Sequence, residues 1–307
     1  MELRVLRYFL AVAREESISA AAEYLHLTQP TLSRQLMDLE IELGKKLFIR
    51  GGRKVTLTED GLFLRKRANE IVELVEKTQS EFQDADRSVS GDVYIGGGES
   101  DAMRLVAHAA RTLQSTHPHI HFHLFSGNAE DVEERLEKGL LDFGILVEAG
   151  DLKKYDYIKL PMTDVWGVLM RKDSPLAALD RIRPKDLWDQ PLLLSRQAIG
   201  QDSLSNWFKR DYSTLNIIAT YNLIFNASLM VDEGLGYAVG LDKLVNTSGD
   251  SSLCFRPLEP KLEVNLYIVW KKFQVFSRAA ERFLAVLQEQ QDFTGSGEVG
   301  RHSDSHA

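Results

Sequence analysis

Apolar positions near the amino terminus recur at helical spacing. Leu3, Leu6, Phe9, Leu10 and Val12 form a stripe broken by Arg4, Arg7 and Arg14, which predicts an amphipathic first helix. A short second helix follows. Ser19 is its expected cap, and Ala20, Ala21 and Ala22 are small enough for a crossing helix to approach closely. Leu25 and Leu27 seal the next turn. A third helix opens Thr28-Gln29-Pro30-Thr31-Leu32-Ser33-Arg34. The Thr28 hydroxyl can accept from a free first-turn N–H, and Pro30 fits where an N–H has no intrahelical partner. Leu32, Leu36 and Leu39 fall on one face and predict the packed side, which leaves Gln29, Thr31, Ser33 and Arg34 exposed. Residues 47–49 and 55–57 read as short strands around a basic tip, Arg50-Gly51-Gly52-Arg53-Lys54.

Thr58, Glu59 and Asp60 then head a long helix, because the helix dipole favours acids in the first turn. Leu64, Ala68, Ile71, Val75, Thr78, Phe82, Ala85 and Val89 step by four and three alternately, a heptad seam. A helix this long needs a partner for its stripe. Pairing with a second copy through Leu64, Ala68, Ile71, Val75 and Phe82 is therefore expected; packing on its own domain is the alternative.

Past Ser88, Ser90 and Gly91 the period changes. Strands at 93–97, 120–125 and 143–147 alternate with helices at 103–113 and 129–138. Strands at 166–170, 192–194, 217–221, 236–239 and 264–270 follow, with helices at 203–212, 224–233 and 277–290. Such alternation predicts an α/β doubly wound parallel sheet with right-handed crossovers. The Gly-, Ser- and His-rich end, 294–307, is expected to be a disordered tail.

Charge changes this picture in one respect. The net charge of −8 argues against nucleic acid, yet residues 1–67 carry twelve Lys and Arg against nine Asp and Glu. That balance of +3 leaves −11 for the remainder, a basic module on an acidic body. Polar side chains at the start of the third helix suit base edges in a major groove, and a basic hairpin suits phosphates or the minor groove. The single cysteine, Cys254, excludes an intrachain disulfide. The amino terminus does not read as a signal peptide, and no run is long and apolar enough to span a bilayer, so the expected location is cytoplasmic with no membrane partner.

Residues 17–61, SISAAAEYLHLTQPTLSRQLMDLEIELGKKLFIRGGRKVTLTEDG, resemble the winged helix-turn-helix of the LysR-type transcriptional regulators, with Gln-Pro-x-x-Ser-Arg as the specific core. Coarser similarity covers most of the remaining chain. The resemblance implies an all-α winged helix-turn-helix at 1–58 and a linker and dimerisation helix at 59–90. It implies an effector-binding domain at 91–293, two-lobed and like the type 2 periplasmic binding proteins. Lobe 1 would take about 91–162 and 266–293, and lobe 2 about 163–265. It implies a homodimer or homotetramer that binds double-stranded DNA, a small-molecule effector and RNA polymerase. Gln29, Pro30, Thr31, Ser33, Arg34, Arg50 and Arg53 are the expected DNA contacts. Ligands of open α/β sheets bind at the carboxyl ends of strands, and the expected effector contacts there are Ser100, Asn128, Arg196 and Asn226. Glu99 and Asp101 flank the same cleft and leave the effector's chemistry open.

Other chemistries have weaker support. His121 and His123 share a strand face, but nothing completes a metal site. Gly96-Gly97-Gly98 precedes a helix, yet Asp101 stands where a dinucleotide fingerprint wants glycine. No nucleophile or acid–base pair can be assembled, so no catalytic residue, cofactor or metal is expected. An α/β enzyme with an appended DNA-binding module is the alternative reading.

Overall fold

The computed structural model describes residues 1–51, 54–83, 89–148, 152–199, 202–294 and 299–300. Its contacts divide the chain into two units, residues 1–85 and 86–307. In the first, helices α1 (Leu3–Glu15), α2 (Ile18–Tyr24) and α3 (Gln29–Leu43) precede a hairpin of β1 (Phe48–Arg50) and β2 (Val55–Leu57) and a 25-residue helix, α4 (Glu59–Gln83). Phe9, Val12, Ala21, Leu32, Leu36 and Leu39 close one core, with Phe48 packed 5.2 Å from the Phe9 ring. The cap of α2 is Ser17, not Ser19: its Oγ accepts the Ala20 N–H at 3.3 Å. Ser17 has extended backbone and Ile18 already begins the helix, which places Ser19 inside it. Gly44 ends α3 at φ 65°, a left-handed conformation glycine adopts without a Cβ penalty.

Helix α4 is capped as expected, since Thr58 Oγ1 accepts the Gly61 N–H at 3.0 Å. The seam divides. Leu64 and Ala68 are buried in the core of their own unit, whereas Ile71 and Phe82 are exposed together with Phe63 and Leu74. Ala85 lies outside the described residues. Val89 is not helical and packs against the core of the second unit, so the heptad reading extends too far.

The second unit contains β3 (Gly91–Gly97), α5 (Met103–Thr116), β4 (Ile120–Ser126), α6 (Ala129–Glu137), β5 (Phe143–Val147), β6 (Tyr155–Arg171), α7 (Pro184–Leu187), β7 (Leu192–Ser195), α8 (Arg196–Ile199) and α9 (Asp202–Phe208). It continues with β8 (Ile217–Tyr221), α10 (Ile224–Asp232), β9 (Tyr237–Leu241), β10 (Leu253–Pro257), β11 (Glu263–Lys271), α11 (Arg278–Thr294) and β12 (Val299–Gly300). The strand order is β4-β3-β5-β11-β6-β9-β7-β8, with β10 and β12 also on β6. Parallel pairs occur at each end, β4-β3-β5 and β9-β7-β8, but β11 and β6 run antiparallel to their neighbours. The sheet is therefore mixed, not purely parallel as the sequence suggests. The short helices α7 and α8 and strand β10 were not anticipated, and β6 runs 17 residues because its first half serves lobe 1 and its second half lobe 2. Strand β11 accompanies it, with an irregularity between Asn265 and Tyr267. Val299 and Gly300 pair with Ile158 and Tyr157, so this part of the supposed disordered tail joins the sheet.

Each lobe has apolar layers on both faces of its strands. In lobe 1, Val106, Leu113, Phe283 and Leu287 of α5 and α11 cover one face and Val132 and Leu136 of α6 the other. In lobe 2, Leu204 and Phe208 of α9 lie opposite Ile224 and Val231 of α10. Gly96 faces the α6 layer, where an added Cβ would collide with Leu141. Close helix–sheet packing thus explains this glycine without a nucleotide.

Candidate nucleic-acid interface and ligand cavity

The start of α3 presents the expected polar surface. Thr28 Oγ1 accepts the Thr31 N–H at 3.4 Å and lies 2.8 Å from the Thr31 hydroxyl, fixing the first turn. Gln29, Pro30, Thr31 and Arg34 are exposed and Ser33 is half-buried, while Leu32 and Leu36 point into the core. Arg34 makes no hydrogen bond or ion pair among the described residues. Arg7 pairs with Glu76, Arg14 with Glu15 and over the Tyr24 ring, and Arg67 with Glu70, whereas Arg65 is unpaired among the described residues like Arg34. Arg50 pairs with Val55 in the hairpin, and Arg53 lies outside the described residues.

A buried carboxylate fixes the hairpin to α3. Glu40 Oε1 accepts the N–H groups of Leu47 at 2.8 Å and Phe48 at 3.3 Å, and Oε2 accepts from Lys46 Nζ at 3.0 Å. Burial pushes the Glu40 pKa up, but these three donors outweigh it and hold the carboxyl below its ordinary value. From the other side, the Val55 N–H donates to Glu16 O at 2.9 Å and Lys54 Nζ reaches the Glu16 carboxylate at 2.6 Å. Sequence reasoning missed Glu40, because an acid on a helix ordinarily reads as solvated.

In the second unit a cavity opens where the strands end. Its wall includes Gly98 and Glu99 after β3, Val147 of β5, Trp166 of β6 and Ser195, Gln197 and Ala198 around α8. Tyr221 at the end of β8, Asn222 after it, Ile224 of α10 and Gly240 and Leu241 of β9 complete it with Leu244. Glu99 Oε2 accepts the Ile224 N–H, so a lobe 1 carboxylate caps a lobe 2 helix whose own N-cap, Leu223, has no capping side chain. Tyr221 donates its hydroxyl to Val239 O at 2.6 Å; burial, and secondarily Glu99, push its phenol pKa up.

Ser100 is buried beside this cavity. Its Oγ donates to Asp164 Oδ2 at 2.8 Å and accepts the Ala102 N–H at 3.1 Å. Asp164 is fully buried on β6, and its Oδ1 has no hydrogen-bond partner among the described residues. Burial pushes its carboxyl up; Ser100 and Lys243 oppose this, and Asp242 and Asp101 add to it. A raised folded pKa favours the protonated fold. That contribution is complete below the unfolded value near 3.8 and is lost as pH rises through the folded one. Asp164→Asn, which mimics the protonated acid, is therefore expected to gain stability over wild type as pH rises from 4 to 7. Thermal melting across that range checks this, and a pH-independent difference contradicts it.

The other expected contacts are distributed unevenly. Ser100 lines a neighbouring groove with Asp101, Arg104 and Lys243. Asn128 forms a capping box with Asp131, which engages its side chain locally. Arg196 and Asn226 are exposed and are not among the cavity's lining residues; Gln197 and Asn222 from the same turns are. His123 Nε2 lies 3.0 Å from Asp92 Oδ1, but no group of three or more His, Cys, Asp or Glu among the described residues is placed to hold a metal. No described helix is long and apolar enough to cross a membrane.

Comparison with known proteins agrees with both halves. Residues 3–62 match the family profile "Bacterial regulatory helix-turn-helix protein, lysR family", and residues 86–292 match "LysR substrate binding domain". The Hca operon transcriptional activator HcaR of Escherichia coli is 30% identical over 94% of this chain and 98% of its own length. The HTH-type transcriptional regulator BsdA of Bacillus subtilis is 32% identical over 71% and 74%. Among solved structures, CbnR, a LysR family transcriptional regulator, aligns over 94% of this chain and 99% of its own at 20% identity and TM-score 0.75. CbnR complexed with its target DNA aligns over the same shares at 19% identity and TM-score 0.73. The chain belongs to the LysR family and is a DNA-binding transcriptional regulator, not an enzyme, with an amino-terminal helix-turn-helix and a carboxyl-terminal effector-binding domain.

Proposed function

We propose that this regulator reads base edges with Gln29 and Arg34, holds bases or phosphates with Thr31 and Ser33, and uses Arg50 and Arg53 on the backbone or minor groove. The observation that carries this reading is Arg34, an exposed cation without an internal partner on a helix end whose Leu32 and Leu36 face inward. A guanidinium held ready in this way suits the O6 and N7 of guanine. Self-association uses the exposed stripe of α4, Ile71 and Phe82 with Phe63 and Leu74, beyond the Leu64 and Ala68 that serve the domain's own core. The cavity between the lobes holds a small-molecule effector, and the bound regulator acts on RNA polymerase. Support for the cavity comes from its position at the strand ends and from an apolar wall with a few polar groups.

Footprinting of the full-length protein on its own chromosome tests this reading. Two reading heads on paired subunits should protect half-sites about one helical turn, or a multiple, apart. Uniform protection without preferred fragments would refute sequence-specific binding.

A further inference from the structure

The cavity between the lobes contains a single ionic side chain, Glu99, among its lining residues. Most of the remaining wall is apolar: Val147, Trp166, Ala198, Ile224, Leu241 and Leu244. A helix N-terminus in such a place ordinarily binds an anionic ligand. Here that position is filled, because Glu99 Oε2 accepts the first N–H of α10. Its other oxygen has no hydrogen-bond partner among the described residues. Lys243 lies 3.7 Å from Asp101 and 3.9 Å from Asp242, and Arg104 lies 2.7 Å from Asp101, while Arg196 is exposed and is not among the lining residues. An entering carboxylate would meet a fixed carboxylate with no cation among the lining residues to offset it, and burial makes that repulsion costly. An ammonium would meet an acceptor in an apolar surround. Trp166 belongs to the apolar wall. It is only 5% exposed, and its indole Nε1–H has no hydrogen-bond partner among the described residues.

We propose that Glu99 sets the ligand class of this cavity. It takes an amine with an apolar body, the ammonium on Glu99, and it rejects carboxylates. This rests on the cavity being the effector site.

Three probes share one ring and one methoxy acceptor: 4-methoxybenzylamine, 4-methoxybenzyl alcohol and 4-methoxybenzoate. Their affinities are measured by calorimetry on the full-length protein, on Glu99→Gln and on Ser195→Trp, which fills the cavity. The amide in Glu99→Gln retains an acceptor oxygen for the Ile224 N–H, so the α10 cap survives. The wild type should bind the amine at least about tenfold more tightly than the benzoate, the scale of one charged hydrogen bond. Glu99→Gln should remove that preference with little change for the alcohol, and Ser195→Trp should abolish binding. Benzoate bound as tightly as the amine, and lost in Ser195→Trp, would leave the cavity reading standing and overturn the role of Glu99. A preference unchanged in Glu99→Gln would overturn it equally. No binding of any probe, or binding untouched by Ser195→Trp, would overturn both.

Discussion

Glu40→Ala is expected to destabilise the amino-terminal unit by about 3 kcal/mol, since it leaves two inward-facing N–H groups without an acceptor at about 1–3 kcal/mol each. Those are the Leu47 and Phe48 donors that fix β1 to α3. The Lys46 ammonium contributes little to this loss, being 78% exposed. Glu40→Gln keeps an acceptor at the same place and should cost about 1 kcal/mol, the difference between a charged and a neutral acceptor. Denaturant unfolding separates the two; equal losses would assign the effect to charge and not to the backbone donors. Acid provides a further check. The folded carboxyl sits below its ordinary 4.5, so wild type keeps this stabilisation above that pH and loses it as pH falls through the folded value. The alanine variant has nothing comparable to lose, and its deficit should shrink in acid.

Arg34→Ala is expected to weaken specific DNA binding by about 1–3 kcal/mol while leaving binding to random DNA nearly unchanged. Arg34 is exposed and without an internal partner, so its truncation leaves the helix core of Leu32, Leu36 and Leu39 intact. Gel shifts on operator and random duplexes at one ionic strength measure both affinities. Equal losses on the two would reassign Arg34 to a phosphate, and the salt dependence would then fall by about one ion.

The amino-terminal half was largely legible because its signals are local. The Thr28 cap, the Leu32-Leu36-Leu39 face and the β1–β2 pairing each depend on residues a few positions apart. Ser17 and Ser19 illustrate the limit: both have cap chemistry, and only the path of the chain leaving α1 decides between them. Contacts between distant residues were not legible. Glu40 looks like a surface acid until β1 folds over it, and Asp164 looks like a loop acid until Ser100 closes on it from 64 residues away. At the cavity, sequence located the turns but not the side chains facing inward. A one-residue difference in register within α8 exchanges Arg196 for Gln197. The unforeseen length of β6 has a similar cause: only 166–170 reads as a strand, and its continuity with the preceding residues appears only when β11 runs beside both.

That continuity makes the lobes inseparable in the gene. Strand β11 arrives near the chain's end yet lies between β5 and β6, which were laid down much earlier. No single cut of the polypeptide releases a lobe with its backbone satisfied. A fragment stopping before β11 would carry two raw strand edges, each a template for sticking to its neighbours. Evolution could therefore vary the turns around the cavity freely, but could hand on its two walls only as one inherited piece.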